Sequence, residues 1–261
     1  MQLLFAFIIR RFVIGYNKRK IERFMTRPPL NIDAIIKSYS VRDDSAFGQA
    51  WTPISKAMWR DISTYDADGA QYGAHQLAPH LSRISKDGAN FLKFLGYTED
   101  VATNFEDAYR LSDIGKIDKR YDPQIWSLPH RPTEEERALK RKHTDWALDV
   151  IATYIRDDET LLLGHPHVQN IIPALALYHH ERLDGNGPLG CDGKQMGTIM
   201  QVACIVDAYD GDRIQRPHQP ERRTPEETLD RMAAIGEDSK YAGAFDKDLL
   251  QEYRRFKLSV E

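Results

Sequence analysis

A chain of 261 residues, 41% hydrophobic and 29% charged, has the composition of an ordinary soluble globular protein with room for a sizeable core. A formal net charge of −3 gives no general attraction to nucleic acid, so no polymeric nucleic-acid partner is expected and any phosphate must be met by a local cluster. The two cysteines, Cys191 and Cys204, provide neither a disulfide framework nor a cysteine-based zinc site, and they fit a reducing cytoplasm.

Residues 1–24 carry six Lys or Arg against one Glu, net +5, which leaves −8 on the remainder. The apolar run 3–9 stops at Arg10 and Arg11, too short to span a membrane, and its positive charges follow it rather than precede it as in a signal peptide. Three readings stand: a basic amphipathic contact with an anionic membrane surface, a translation start at Met25, or an ordinary docked helix. Residues 25–75 read as an N-terminal helical extension, with breaks near 38–44 and 65–69. Helical patterns follow over 76–95 and 98–111. Thr133-Glu134-Glu135-Glu136 after Pro132 predicts a capping box, opening a helix to about Ile155. That helix would set Leu139, His143, Trp146, Ala147 and Val150 on one face. An apolar stretch, 171–178, runs into His179-His180-Glu181-Arg182-Leu183-Asp184-Gly185-Asn186-Gly187-Pro188. A Gly/Pro-rich loop, a helix over 196–209 and one or two short helices after Thr224-Pro225-Glu226-Glu227 complete the chain. No stretch alternates long enough for a sheet, so the fold class is all-α.

Several polar residues interrupt apolar faces. The adjacent His179 and His180 end a core helix, and histidine is the commonest metal ligand. Asp207 closes the apolar run 199–206, where a carboxylate is costly unless paired, hydrogen-bonded or metal-bound. His143 shares a face with Trp146 and Val150, Asp113 sits in Leu111-Ser112-Asp113-Ile114-Gly115-Lys116-Ile117, and His80 lies in the helix before it. Taken singly, each is a satisfied core histidine or a helix-end carboxylate. Together they suggest nitrogen and oxygen ligands converging on iron, manganese or zinc.

These elements resemble the HD-GYP family, a phosphodiesterase branch of the HD superfamily. His80-Leu81-Ser82-Arg83-Ile84 matches its first motif, residues 112–117 its HDIGKI, and Thr133–Glu136 followed by His143 its third element. Residues 179–188 match HHER.DG.GYP, and Asp207-Ala208-Tyr209-Asp210 with Arg216-Pro217-His218 matches the last part. The order holds from about residue 76 to 250, which makes 76–261 an HD-GYP-like domain: a helical bundle preceded by a helical extension. The resemblance implies hydrolysis of a cyclic dinucleotide, cyclic di-GMP above all, to its linear form. It implies two divalent ions, iron or manganese, held by His80, Asp113, His143, His179, His180 and Asp207. A hydroxide shared by the two ions would attack the phosphate, with Asp113 bridging and Lys116 offsetting charge. Arg182 and Arg216 are further candidates for substrate contact.

Departures from the family pattern shape the expectation. Ser112 replaces the family's histidine, so one metal position loses a strong donor. Gln76 stands where members with a third metal carry glutamate, and a third ion is not expected. Gly187 is followed directly by Pro188, without the tyrosine, and Arg216-Pro217-His218-Gln219 has one basic group fewer than the family's end motif. The alternative is an impaired domain that binds a nucleotide or a protein partner without turnover.

Overall fold

The computed structural model describes residues 27–69, 77–126, 128–155, 160–215, 219, 221–234 and 240–260. Residues 1–24, Gln76 and the 216–218 segment, on which several sequence expectations rest, lie outside them. Among the described residues the helices, in chain order, are α1 Asp33–Ile36, α2 Ser45–Gly69, α3 Leu77–Phe94, α4 Glu99–Tyr109 and α5 Glu134–Tyr154. They continue as α6 Thr160–Gly164, α7 Ile172–Tyr178, α8 Thr198–Arg213, α9 Pro225–Met232 and α10 Lys247–Val260, with no strand between them. None of the described helices is long and apolar enough to cross a membrane. The all-α expectation is met.

Helix α8 explains the centre of the molecule. Ile199, Met200, Val202, Ala203, Cys204, Ile205 and Val206 are all buried, so its apolar surface goes right round and it must sit inside the bundle. The seven residues of α7 are also all buried. So short a helix would not persist alone, and packing supplies its stability. It continues from a π-helical turn, His167–Ile171. Helix α3 is amphipathic, with Leu77, Leu81, Ile84, Phe91 and Leu92 on its buried stripe, and it packs on α4 and α8. Helix α5 packs on α7 and on a 3-10 turn, Ile114–Ile117.

The capping boxes at Thr133/Glu136 and Thr224/Glu227 form as the sequence predicts. Three expectations are corrected. Helix α2 runs unbroken from Ser45 to Gly69, with no interruption at 65. Helix α8 extends to Arg213, which puts Asp207 inside the helix rather than at its end. Leu139 is 43% exposed, because the first turns of α5 project past its neighbours and burial begins only at His143.

Residues 27–69 share the same hydrophobic core, which takes in Ile32, Ile36, Phe47, Trp51, Met58 and Ile62 together with the buried residues of α3 to α10. Two polar links fix this extension. Helix α8 starts at Gly197, which has no side chain to cap it, and Asp33 provides the missing carboxylate to the Thr198 and Ile199 amides at 3.0 and 3.1 Å. In the second link, Tyr39 Oη lies 2.8 Å from His167 Nδ1 and His167 Nε2 lies 2.9 Å from Asp107, which also accepts from Trp51 Nε1 at 2.7 Å. Burial pushes the Asp107 carboxyl up, but the bonds from His167 and Trp51 outweigh it and hold the group below the usual carboxylate range. A carboxyl depressed in the fold contributes stability above its unfolded pKa, near 4, and loses that contribution as pH falls through the lower folded value. Asp107→Asn should therefore cost about 2 kcal/mol at pH 7. Denaturant titrations at pH 7 and pH 3 should show the gap from wild type closing in acid. A constant gap would mean that the charge plays no part.

Candidate metal centre

The six residues expected as metal ligands come from five places in the chain and meet in one buried region. Asp113 is fully buried at its centre, just ahead of the Ile114–Ile117 turn. Its Oδ1 lies 2.8 Å from His143 Nε2 on α5 and 3.4 Å from His179 Nε2 at the C-cap of α7. Its Oδ2 lies 3.4 Å from His80 Nε2 on α3 and 2.5 Å from Lys116 Nζ. His80 Nε2 is also 3.3 Å from Asp207 Oδ1, and His180 Nδ1 is 3.0 Å from Asp207 Oδ2. Asp113, His143, His179 and His180 bring one ligand atom each within 4.8 Å of one another, a set able to hold a divalent ion.

Two of the rings are turned for that role by the main chain. His143 Nδ1 faces the Lys140 carbonyl at 2.5 Å, and His179 Nδ1 faces the Leu175 carbonyl at 2.9 Å. A carbonyl can only accept, so each Nδ1 carries the proton and each Nε2 is left as a lone pair directed at Asp113. Both Nε2 atoms and Asp113 Oδ1 are buried and lack a hydrogen-bond partner. Such a convergence of buried acceptors is costly by itself and is relieved by a cation. The donor set, imidazole nitrogen and carboxylate oxygen, suits iron, manganese or zinc.

The electrostatics agree. Burial works against charge on Asp113, yet the Lys116 ammonium beside it holds its carboxyl well below the usual range. Asp207 is held down in the same way by His180 and His80. Burial lowers the pKa of His143, and burial with the neighbouring His179 pushes His180 down to about 4, so both rings are neutral and competent as ligands. At His80 burial also works downward, but three carboxylates, Asp113, Asp207 and Asp210, raise it well above the ordinary histidine value.

Ser112 is fully buried beside Asp113, and its hydroxyl has no hydrogen-bond partner among the described residues. Arg182 does not point into the cluster. Its guanidinium is held by Asp184 at 2.6 and 2.9 Å and by the Lys240 and Ala242 carbonyls at 2.6 and 3.1 Å. Arg216 lies outside the described residues.

The motif reading passed over Glu181, which is 1% exposed. It accepts from the Leu189 and Cys191 amides at 2.8 and 2.9 Å and so folds the loop that follows the histidine pair back beneath it. Its place after two histidines, before a glycine-rich loop, was the available signal. Glu181→Ala removes two charge-assisted bonds and strands two amides, an expected loss of about 3 kcal/mol that thermal unfolding would register. A variant within about 0.5 kcal/mol of wild type would show that the loop does not depend on it.

No protein-family model matches the chain. It is 28% identical over 144 residues to a cyclic di-GMP phosphodiesterase of Pseudomonas aeruginosa, covering 55% of this chain and 30% of that protein. It is 25% identical over 151 residues to a cyclic di-GMP phosphodiesterase of Thermotoga maritima, covering 58% of this chain and 38% of the relative. A response regulator of Xanthomonas campestris, also named a cyclic di-GMP phosphodiesterase, is 28% identical over 53% of this chain and 34% of its own length. Among solved structures, an HDG"Y"P protein from Bdellovibrio bacteriovorus shares the fold, with a TM-score of 0.53, 14% identity, and coverage of 84% of this chain and 67% of that one. The chain is similar in sequence to proteins named cyclic di-GMP phosphodiesterases and in fold to an HDG"Y"P protein. It spans about a third of the length of the curated relatives it matches. What it has in common with the HD-GYP structure is the helical fold.

Proposed function

We propose that this chain is a metal-dependent phosphodiesterase that hydrolyses a cyclic dinucleotide, cyclic di-GMP above all. The observation that carries the reading is the meeting of His80, Asp113, His143, His179, His180 and Asp207 around one carboxylate whose two oxygens face different partners. Relatives named as cyclic di-GMP phosphodiesterases support the substrate class.

In this reading Asp113 would help hold two divalent ions, iron or manganese. His143, His179 and His180 would hold one of them, and His80 and Asp207 the other. When bound, such ions supply Lewis acidity toward the phosphate and a more acidic water. The protein's own part is positional. The Lys140 and Leu175 carbonyls fix two imidazoles, and the closely packed Asp113 turn keeps the carboxylate from drifting. Lys116, held 2.5 Å from Asp113, supplies positive charge next to the place where negative charge develops on the phosphate oxygens. Water adds to phosphorus, one phosphoester bond breaks, and the leaving ribose oxygen takes a proton, giving the linear dinucleotide. Arg182 is assigned to the loop it holds rather than to the substrate.

Ser112 favours a second reading, a domain that binds nucleotide without turnover, because a buried hydroxyl replaces an imidazole beside the central carboxylate. One sample decides between them: metal content per chain after anaerobic purification, with cyclic di-GMP turnover on the same protein. Two ions and a linear product support the phosphodiesterase. Zero or one ion, with no product after iron or manganese is restored, overturns it and leaves the binding module.

A further inference from the structure

His80 is held in a way that differs from His143 and His179. Its Nδ1 faces no main-chain carbonyl but lies 2.7 Å from Asp210 Oδ2, a carboxylate on α8 one turn beyond Asp207. Residues 207 and 210 lie three apart and so share a helix face. On that face the two carboxylates divide one imidazole, with Asp207 Oδ1 3.3 Å from Nε2 and Asp210 taking Nδ1. Helix α3 repeats the spacing. Arg83, three residues after His80, closes on Asp210 in a two-pronged pair, Nε to Oδ1 at 2.7 Å and Nη2 to Oδ2 at 2.9 Å. A bidentate guanidinium fixes the plane of a carboxylate as well as its distance. The Asp210 side chain is 14% exposed and the His80 side chain 9%, so little water competes for these bonds.

We propose that Asp210 is a positioning residue for the metal ion served by His80 and Asp207, and that Arg83 sets Asp210. By accepting Nδ1–H, Asp210 would leave the Nε2 lone pair, once an ion displaces its proton, facing Asp113 and Asp207. Its negative charge makes that lone pair a stronger donor than a carbonyl brace would. His143 and His179 are instead braced by the Lys140 and Leu175 carbonyls, so the ion they serve should not depend on Asp210. The inference rests on the two-ion reading above.

The test is a titration of manganese(II) into the metal-free full chain, with free ion counted by electron paramagnetic resonance. Wild type should show two binding steps. Asp210→Ala should weaken one step about 10–100-fold and leave the other within about twofold, since loss of an outer partner of a ligand histidine has effects of that size. Asp210→Asn can still accept the Nδ1 proton but lacks the charge, so it should fall in between and also guard against a folding defect. Arg83→Met should weaken the same step by a smaller factor. Asp210→Ala and Asp210→Asn with both steps unchanged, or with both steps weakened equally, would overturn the role of Asp210 alone. A wild-type chain that takes up no manganese would overturn the metal reading and this inference with it.

Discussion

Replacement of Asp113 by alanine is expected to remove both metal uptake and hydrolysis, with kcat/KM for cyclic di-GMP down by about a thousandfold or more. That factor is about 4 kcal/mol of transition-state stabilisation. The reason is geometric. Asp113 approaches His80, His143, His179 and Lys116, so its carboxylate joins both halves of the cluster. Asp113→Asn keeps the volume and tests charge separately from shape. It should also fail to hold two ions, because an amide cannot serve as an anionic bridge. Metal analysis, turnover and a melting curve on the three proteins would settle the matter. Turnover by Asp113→Ala within tenfold of wild type would end the reading of this cluster as a phosphodiesterase centre.

The second large effect concerns Gly115. A Cβ at this position would stand 1.8 Å from the His143 carbonyl oxygen and 2.7 Å from the Ala147 amide nitrogen. Both are backbone atoms of α5, so no rotamer change relieves the clash and either the turn or the helix must move. Gly115→Ala is expected to cost about 3 kcal/mol or more, at the upper end for overpacking. For a chain of this size that is about 6–12 °C in Tm. Gly211 in α8 is the control. An added methyl there meets nothing within 4 Å, and alanine should be neutral or stabilise by up to about 1 kcal/mol. Equal melting points for the two variants would contradict the close approach of turn and helix. Activity should fall further than stability in Gly115→Ala, because the turn that shifts carries Asp113 and Lys116 and the helix carries His143.

The sequence made the residues of this cluster legible for a definite reason. His80, His143 and Asp207 are polar positions inside apolar helical stripes, and the adjacent His179 and His180 end a core helix. Each is an anomaly against a strong periodic background. The motif order then joined them across the chain. Asp210 and Arg83 stood inside the same motifs, but their meaning is a contact between α3 and α8, and spacing within one helix does not say what the facing helix offers. Glu181, Asp33 and the His167–Asp107 link escaped for the same reason, since each satisfies backbone or ring groups distant in sequence and leaves no periodic trace. Leu139 shows the converse error. A helical stripe predicts which face is apolar but not how far along the helix a partner exists, and α5 has its partners only from His143 onward.

The carboxylate that Asp33 lends to the start of α8 bears on how the domain can be transplanted. The run of motifs that resembles the HD-GYP pattern opens at His80, yet the helix bearing Asp207 and Asp210 begins on an acidic cap from a residue well before it. The inheritable module is therefore wider than its motifs. A graft of residues 76–261 onto another protein would carry the whole His/Asp cluster but leave the Thr198 and Ile199 amides without that cap, at the start of a helix buried inside the bundle. Boundaries chosen from the motifs alone would cut through the fold, whereas boundaries placed ahead of Asn31, whose side chain in turn accepts from the Asp33 amide, would keep the cap with the helix it serves.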